Sequence, residues 1–151
     1  MIVIKTYTRD MQTQLFDLTE RCFEQCGKKF EPDGRHAFYC DIVQNFVQFW
    51  CAFDGEAMIG TSALKDLGDG KCELKALYLD ENYHGKGIGR KLAQAAIDFA
   101  RDNGYGEMYL DCMSGSDKAI ALYEKLGFKS EGLRKNFYTA PQDDAIIMWK
   151  R

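Results

Sequence analysis

The sequence of 151 residues predicts an α/β protein built on one sheet of mixed strand direction. Two observations carry this. Two strand-like runs joined by Asp54-Gly55 read as a β-hairpin, which is antiparallel. Later runs follow a strand–helix–strand order, the pattern of a parallel crossover.

The elements follow in order along the chain. Ile2 to Tyr7 alternates apolar and polar residues and reads as a strand. Asp10 is placed to cap a helix whose stripe is Met11, Leu15, Leu18, Cys22 and Cys26, with Gly27 as its stop. Pro32-Asp33-Gly34 opens a second helical stretch towards Asn45. Val47 to Phe53 and Ala57 to Leu64 are the strands of the hairpin, and Gly68-Asp69-Gly70 is a loop. Cys72 to Leu79 alternates again: Cys72, Leu74, Ala76 and Tyr78 are expected on one face, and Glu73, Lys75, Leu77 and Leu79 on the other. A helix carries Ile88, Leu92, Ala96 and Phe99 at helical spacing and stops at Asn103-Gly104. Glu107 to Cys112 is a short strand. Ser116 or Asp117 caps a helix over Ala119–Leu126; Gly127 stops it, and Phe128 folds back as its hydrophobic C-terminal contact. Lys129 to Phe137 and Ala145 to Lys150 close the chain as strands, with Pro141 between them. No repeat, low-complexity run or linker interrupts the order, so residues 1–151 are expected to form a single domain.

Composition narrows the classes of function. Hydrophobic residues make up 46% and charged residues 28%, the balance of an ordinary soluble chain. The formal net charge of −3 gives no basic footprint, so a nucleic-acid partner is not expected. No signal-like N-terminus and no run of membrane-spanning length is present, so a cytoplasmic protein without a membrane partner is expected. The six cysteines show no C-x-x-C pair and read as reduced, mostly buried thiols. Cys22, Cys26 and His36 are weaker candidates for a metal site, and none is assigned.

The stretch NYHGKGIGRKL, residues 82–92, places Gly85, Gly87 and Gly89 between a strand and a helix start. The first amides of a helix have no internal acceptors and carry the positive end of its dipole. Glycines there let an anion approach the backbone, and Lys86, Arg90 and Lys91 add positive charge. The spacing G-x-G-x-G departs from the dinucleotide pattern G-x-G-x-x-G. Asp80 and Gly87 depart from the glycine and hydroxyl that a nucleotide P-loop requires. A phosphate cradle and a plain connecting turn both fit the turn alone.

The wider sequence resembles a known family. ELKALYLDENYHGKGIGRKL followed by YLDCMSGSDKAIALYEKLGF is similar to the GNAT superfamily of acetyl-CoA-dependent N-acetyltransferases. The family motif is Arg or Gln, two residues, Gly, one residue, then Gly or Ala; here it reads His84, Gly87 and Gly89. The resemblance implies a GNAT fold with a mixed, twisted sheet of about seven strands flanked by about four helices. It implies that the pyrophosphate of coenzyme A rests on the amides of Gly85, Lys86, Gly87, Ile88, Gly89 and Arg90. The pantetheine arm then runs along Leu77, Tyr78 and Leu79, in the gap where two parallel strands splay, and the amide near Leu79 polarises the thioester carbonyl. His84 departs from the usual Arg or Gln, and Ser116 stands where an Asn usually faces the pantetheine.

The chemistry needs a proton acceptor for the amine and a donor for the leaving thiolate. Tyr123 matches the family's usual acid; packing of its helix onto the sheet is the structural alternative. Glu73 and Asp111 compete as base, each also readable as a solvated strand carboxylate, with Glu73 preferred. The stretch GLRKNFYTAPQDDAIIM resembles the end of the RimI-type ribosomal-protein alanine N-acetyltransferases, while ELKALYLDENYHGKG is closer to small-molecule members. Phe30, Phe38, Tyr39 and Trp50 are candidates to shape the acceptor pocket, and ordinary core packing explains them equally well. The expected function is acetyl transfer from acetyl-CoA to a primary amine, of a small molecule or a peptide N-terminus, by direct attack. A non-catalytic acyl-CoA sensor is the alternative. By analogy with the superfamily, C-terminal edge strands offer a homodimer contact.

Overall fold

The computed structural model describes residues 1–113, 117–139 and 142–150, with side chains over 1–111 and 118–130. Within these, seven strands form one sheet: β1 (Ile2–Thr6), β2 (Gln48–Asp54), β3 (Ala57–Gly68), β4 (Lys71–Leu79), β5 (Glu107–Met113), β6 (Lys129–Thr139) and β7 (Gln142–Lys150). Their spatial order is β1-β2-β3-β4-β5-β7-β6. Only β4 and β5 pair in parallel; the other pairs are antiparallel. The α-helices are α1 (Gln12–Gln25), α2 (Ile42–Asn45), α3 (Ile88–Asp102) and α4 (Asp117–Lys125). The mixed sheet and the element order agree with the expectation from sequence. Among the described residues no helix is long and apolar enough to cross a membrane.

The sheet separates two cores. On one face α3 and α4 cover a cluster that includes Trp50, Leu74, Leu92, Ala96, Leu110 and Phe128. On the other face α1 and α2 cover Leu15, Leu18, Tyr39, Phe49 and Phe53. Leu92 is fully buried, and a side chain of that kind contributes about 1.5–3 kcal/mol by leaving water. Its approach to the sheet requires Gly60. A Cβ at Gly60 would come within 2.9 Å of Leu92 Cδ1 and 3.0 Å of the Tyr78 carbonyl oxygen. The Ser62 hydroxyl then donates to the Leu92 carbonyl at 2.9 Å, which pins α3 on β3.

Some elements differ from the expectation, each for a local reason. Asp10 lies in a 3-10 turn, Arg9–Met11, and its carboxylate accepts from the Thr8 hydroxyl instead of capping α1. Cys26 falls past the buried stripe and is exposed, while Cys22 is buried and its thiol is pushed up to about 12 by burial. The helical stretch towards Asn45 is broken. A 3-10 turn, Ala37–Cys40, ends at Asp41, whose side chain accepts from the Gln44 amide at 3.2 Å and restarts the chain as α2. Trp50 packs on Phe99 on the α3 face, because strand alternation points it away from Phe49 and the α1 face.

The most consequential difference is in β4. Cys72 and Leu74 join the α3-side cluster, but so do Leu77 and Leu79, while Ala76 and Tyr78 pack on the α1 side. The two-residue alternation therefore slips once. Ala76 has φ of +52°, and the β3–β4 register shifts between Thr61 and Ala63. This is a β-bulge, a kink that re-aims the residues beyond it. A non-glycine residue in that region of φ is strained. The Thr61 hydroxyl offsets part of the strain by donating to the Ala76 carbonyl at 2.6 Å. The bulge leaves Glu73, Lys75, Ala76 and Tyr78 on the α1 face.

Candidate functional site

The pairing of β4 with β5 stops early. Lys71, Cys72 and Glu73 pair with Glu107, Met108 and Tyr109, and no pairing follows. From Leu74 onwards the two parallel strands diverge. The Asp80 amide donates to the Ile59 carbonyl on β3 at 2.9 Å. One residue earlier, strand alternation turns the Leu79 amide and carbonyl away from β3, to the side where β5 has left. The Leu79 carbonyl accepts from His84 Nε2 at 2.9 Å, so His84 folds back on the strand end.

The chain leaves β4 through Asp80 and a 3-10 turn, Glu81–Tyr83, and reaches α3 through the glycines. Gly85 and Gly87 have φ of +80° and +78°, conformations that cost an L-residue roughly 1–2 kcal/mol. Gly87 is the N-cap of α3, and no side chain caps the helix there. Gly89 differs: it lies inside the first helical turn, and a Cβ on it would meet nothing within 4 Å. Among the described residues neither conformation nor packing requires glycine at that place, where it weakens a helix by about 1 kcal/mol relative to alanine. Space kept clear over uncapped helical amides fits a ligand anion resting on the backbone. Lys86, Arg90 and Lys91 are exposed around it. Lys86 Nζ stands 5.4 Å over the Tyr83 ring, whose hydroxyl donates to Asp54 at 2.7 Å.

The proton-handling candidates lie on both faces of the divergence. Tyr123 is 8% exposed in the α3-side core. It stands three residues before the C-cap of α4, where the Phe128 amide donates to its carbonyl at 2.9 Å and the Phe128 ring meets its ring at 5.9 Å. The glycine-aromatic stop expected after Leu126 thus fixes the tyrosine's place on the helix. Glu73 is half-buried on the opposite face, 3.7 Å from Lys75 Nζ. Asp111 follows two residues after Tyr109, the partner of Glu73, and alternation places it on the same face of β5. The strand divergence is where the two faces meet. Ser116 lies outside the described residues.

The α1 face beside Tyr78 is lined with rings. Phe23 meets Phe30, His36 and Tyr78 with centroids 5.5, 5.0 and 4.9 Å apart, and Phe30 meets Tyr39 at 5.4 Å. Lys28 Nζ lies 5.5 Å from the Tyr78 ring, and burial lowers its pKa. Lys75 Nζ lies 5.7 Å from the Phe38 ring. Two concavities among the described residues lie away from the glycine turn. One of about 220 Å³ is lined by Tyr7, Ile42 and Phe49 among others, and one of about 90 Å³ by Phe38, Asn45, Phe46, Lys65 and Lys75. The turn itself is an open backbone surface, suited to an extended ligand.

One group escaped the sequence. Asp80 is 6% exposed, the only charged side chain in the core of the described residues. It accepts from Arg21 Nε at 2.8 Å, the Asn82 amide at 3.1 Å and Gln25 Nε2 at 3.3 Å. Burial alone would raise its pKa, but the Asn82 amide, Arg21 and Gln25 outweigh it and hold the carboxyl below its ordinary range. Arg21 and Gln25 share a face of α1 one turn apart, a spacing visible in the sequence, but their partner fifty-odd residues later is not.

Comparison with known proteins matches residues 13–128 to the acetyltransferase (GNAT) family. The N-alpha-acetyltransferase RimI of Mycobacterium tuberculosis is 31% identical over 135 residues, covering 85% of this chain and 84% of that protein. Human N-acetyltransferase 8B is 30% identical over 127 residues, covering 81% of this chain and 48% of that protein, so the chain spans about half of this longer relative. Among solved structures, the PaiA N-acetyltransferase of Thermoplasma acidophilum in complex with coenzyme A superposes with a TM-score of 0.79 at 23% identity, covering 100% of this chain and 99% of that one.

Proposed function

The chain belongs to the acetyltransferase (GNAT) family, and on that premise we propose that it transfers acetyl from acetyl-CoA to the free α-amine of a peptide or protein N-terminus. The observation that carries the coenzyme half is the cradle: uncapped α3 amides, a clear Gly89 and a strand edge at Leu79 facing the β4–β5 divergence. The choice of acceptor is supported by the alignment with a named N-alpha-acetyltransferase over 85% of this chain. Bound acetyl-CoA supplies the acetyl group as an activated thioester. The residues divide the remaining work. Gly85 to Arg90 hold the pyrophosphate through their amides, and Leu77, Tyr78 and Leu79 pair with the extended arm. The Leu79 amide donates to the oxygen on which negative charge grows. Glu73 takes the amine proton, directly or through water, with Asp111 as a second acceptor. As the amine nitrogen bonds to the acetyl carbon and the carbon–sulfur bond breaks, Tyr123 delivers its hydroxyl proton to sulfur. A passive acyl-CoA sensor has no use for an acid and a carboxylate on either side of the divergence. The reading includes a cytoplasmic location and a homodimer contact through the edge strand β6, which light scattering in solution tests.

The test is free-thiol release from acetyl-CoA with two acceptor panels, short peptides with free N-termini and small amines, followed by mass spectrometry of the product. Peptide-dependent release with acetyl on the α-nitrogen is expected. Release with small amines alone contradicts the acceptor, and binding of acetyl-CoA without release in either panel favours the sensor.

A further inference from the structure

We infer that Asp80, gripped by Arg21 and Gln25 of α1, is a positioning residue that presets the coenzyme turn and ties it to the aromatic face of the same helix. The inference rests on the reading of Gly85 to Arg90 as the pyrophosphate seat. A buried carboxylate is costly unless paired, and its partner Arg21 is 45% exposed, so water screens the pair and it adds little net stability. Stability alone is therefore a weak reason for a charge in this core. Its place is a stronger one: Asp80 separates Leu79, the last strand residue, from the turn that leads to the glycines.

The grip is complete on both oxygens. One accepts from Arg21 Nε at 2.8 Å; the other accepts from Gln25 Nε2 at 3.3 Å and the Asn82 amide at 3.1 Å. Gln25 works at both ends, since its Oε1 accepts from the Glu81 amide at 3.0 Å. Arg21 Nη2 reaches the Met58 carbonyl on β3 at 3.5 Å. From the far side, His84 Nε2 meets the Leu79 carbonyl at 2.9 Å. Residues 79 to 84 are thus fixed at both ends before the first glycine, and a turn ordered in advance spends less binding energy on its own ordering. Helix α1 also carries Phe23, whose ring contacts Phe30, His36 and Tyr78. One rigid helix therefore sets the turn on one flank and the ring-lined face on the other.

The experiment compares wild type, Arg21→Ala, Arg21→Lys, Gln25→Ala and Asp80→Asn, with Glu20→Gln, an exposed site on the same helix, as control. Coenzyme A affinity is measured by calorimetry, hydrogen exchange of the 81–84 amides is followed in the free protein, and KM for acetyl-CoA is separated from kcat. Arg21→Ala is expected to weaken coenzyme A binding about tenfold and to speed exchange at 81–84. KM for acetyl-CoA should rise more than kcat falls, Arg21→Lys should recover part of the affinity, and Glu20→Gln should match wild type. If Asp80→Asn does not fold, Gln25→Ala carries the same expectation in weaker form. Variants that melt earlier yet bind coenzyme A like wild type overturn the inference and leave the cradle intact. A wild type that does not bind coenzyme A overturns the cradle itself.

Discussion

The two halves of the proposed site are made of different material. The proposed coenzyme half, from Leu77 to Arg90, would work through backbone: amides, a strand edge and glycines that keep side chains out of the way. The proposed acceptor half, on the α1 face, would work through side chains: Phe23, Phe30, His36, Phe38, Tyr39 and Tyr78 form a chain of ring contacts there. A backbone site constrains few residue types but constrains those tightly. A ring-lined face tolerates exchange of one ring for another more readily than a glycine turn tolerates a Cβ.

The contrast can be broken most severely at the proposed acid, which belongs to neither half. Tyr123→Phe keeps the ring on Phe128 and removes only the hydroxyl; kcat should fall about 10²-fold or more while coenzyme A affinity holds, as steady-state kinetics and calorimetry will show. Next comes the cradle. Gly87→Ala forces an L-residue into φ of +78°, and the resulting strain of about 1–2 kcal/mol should weaken coenzyme A binding about tenfold, with KM for the acceptor little changed. The reverse pattern is expected on the other half. Phe30→Ala removes ring contacts to Phe16, Phe23, His36 and Tyr39. It should cost about 2 kcal/mol in urea unfolding and raise the acceptor KM several-fold, with coenzyme A affinity held. If Gly87→Ala and Phe30→Ala shift the same constant, the division into two halves is wrong.

The smallest effect concerns pH. Burial among the rings, then Arg35, lower the pKa of His36, so the folded state keeps it neutral. The unfolded chain takes up that proton as pH falls through about 6.5, and stability is lost below that point while it is fully present above. Melting temperature should fall from pH 7.5 to 5.5 in wild type and fall less in His36→Asn.

Legibility in the sequence follows the same division. Gly85, Gly87 and Gly89, the Asp54-Gly55 hairpin and the glycine-aromatic stop after Tyr123 are local patterns with local causes, and the structure places each as read. The faces of β4 are not legible in the sequence, because the bulge at Ala76 follows from the register of β4 on β3, where pairing passes from Ala63–Lys75 to Thr61–Tyr78. For Trp50 the residue type fits an acceptor pocket and core packing equally, and register decides for the core on the α3 face. Asp80 carries no local signal of burial, because the arginine and glutamine that hold it come from α1. In each case the missing information was a long-range contact, which no window along the chain contains.

The most direct test of the central claim is to follow the backbone amides by NMR while coenzyme A is added to the wild-type protein. The largest shifts are expected at Leu77, Leu79 and Gly85 to Arg90, with smaller ones relayed to Arg21 and Gln25. Shifts centred on Tyr7, Ile42 and Phe49, with the glycine turn unmoved, would contradict that claim.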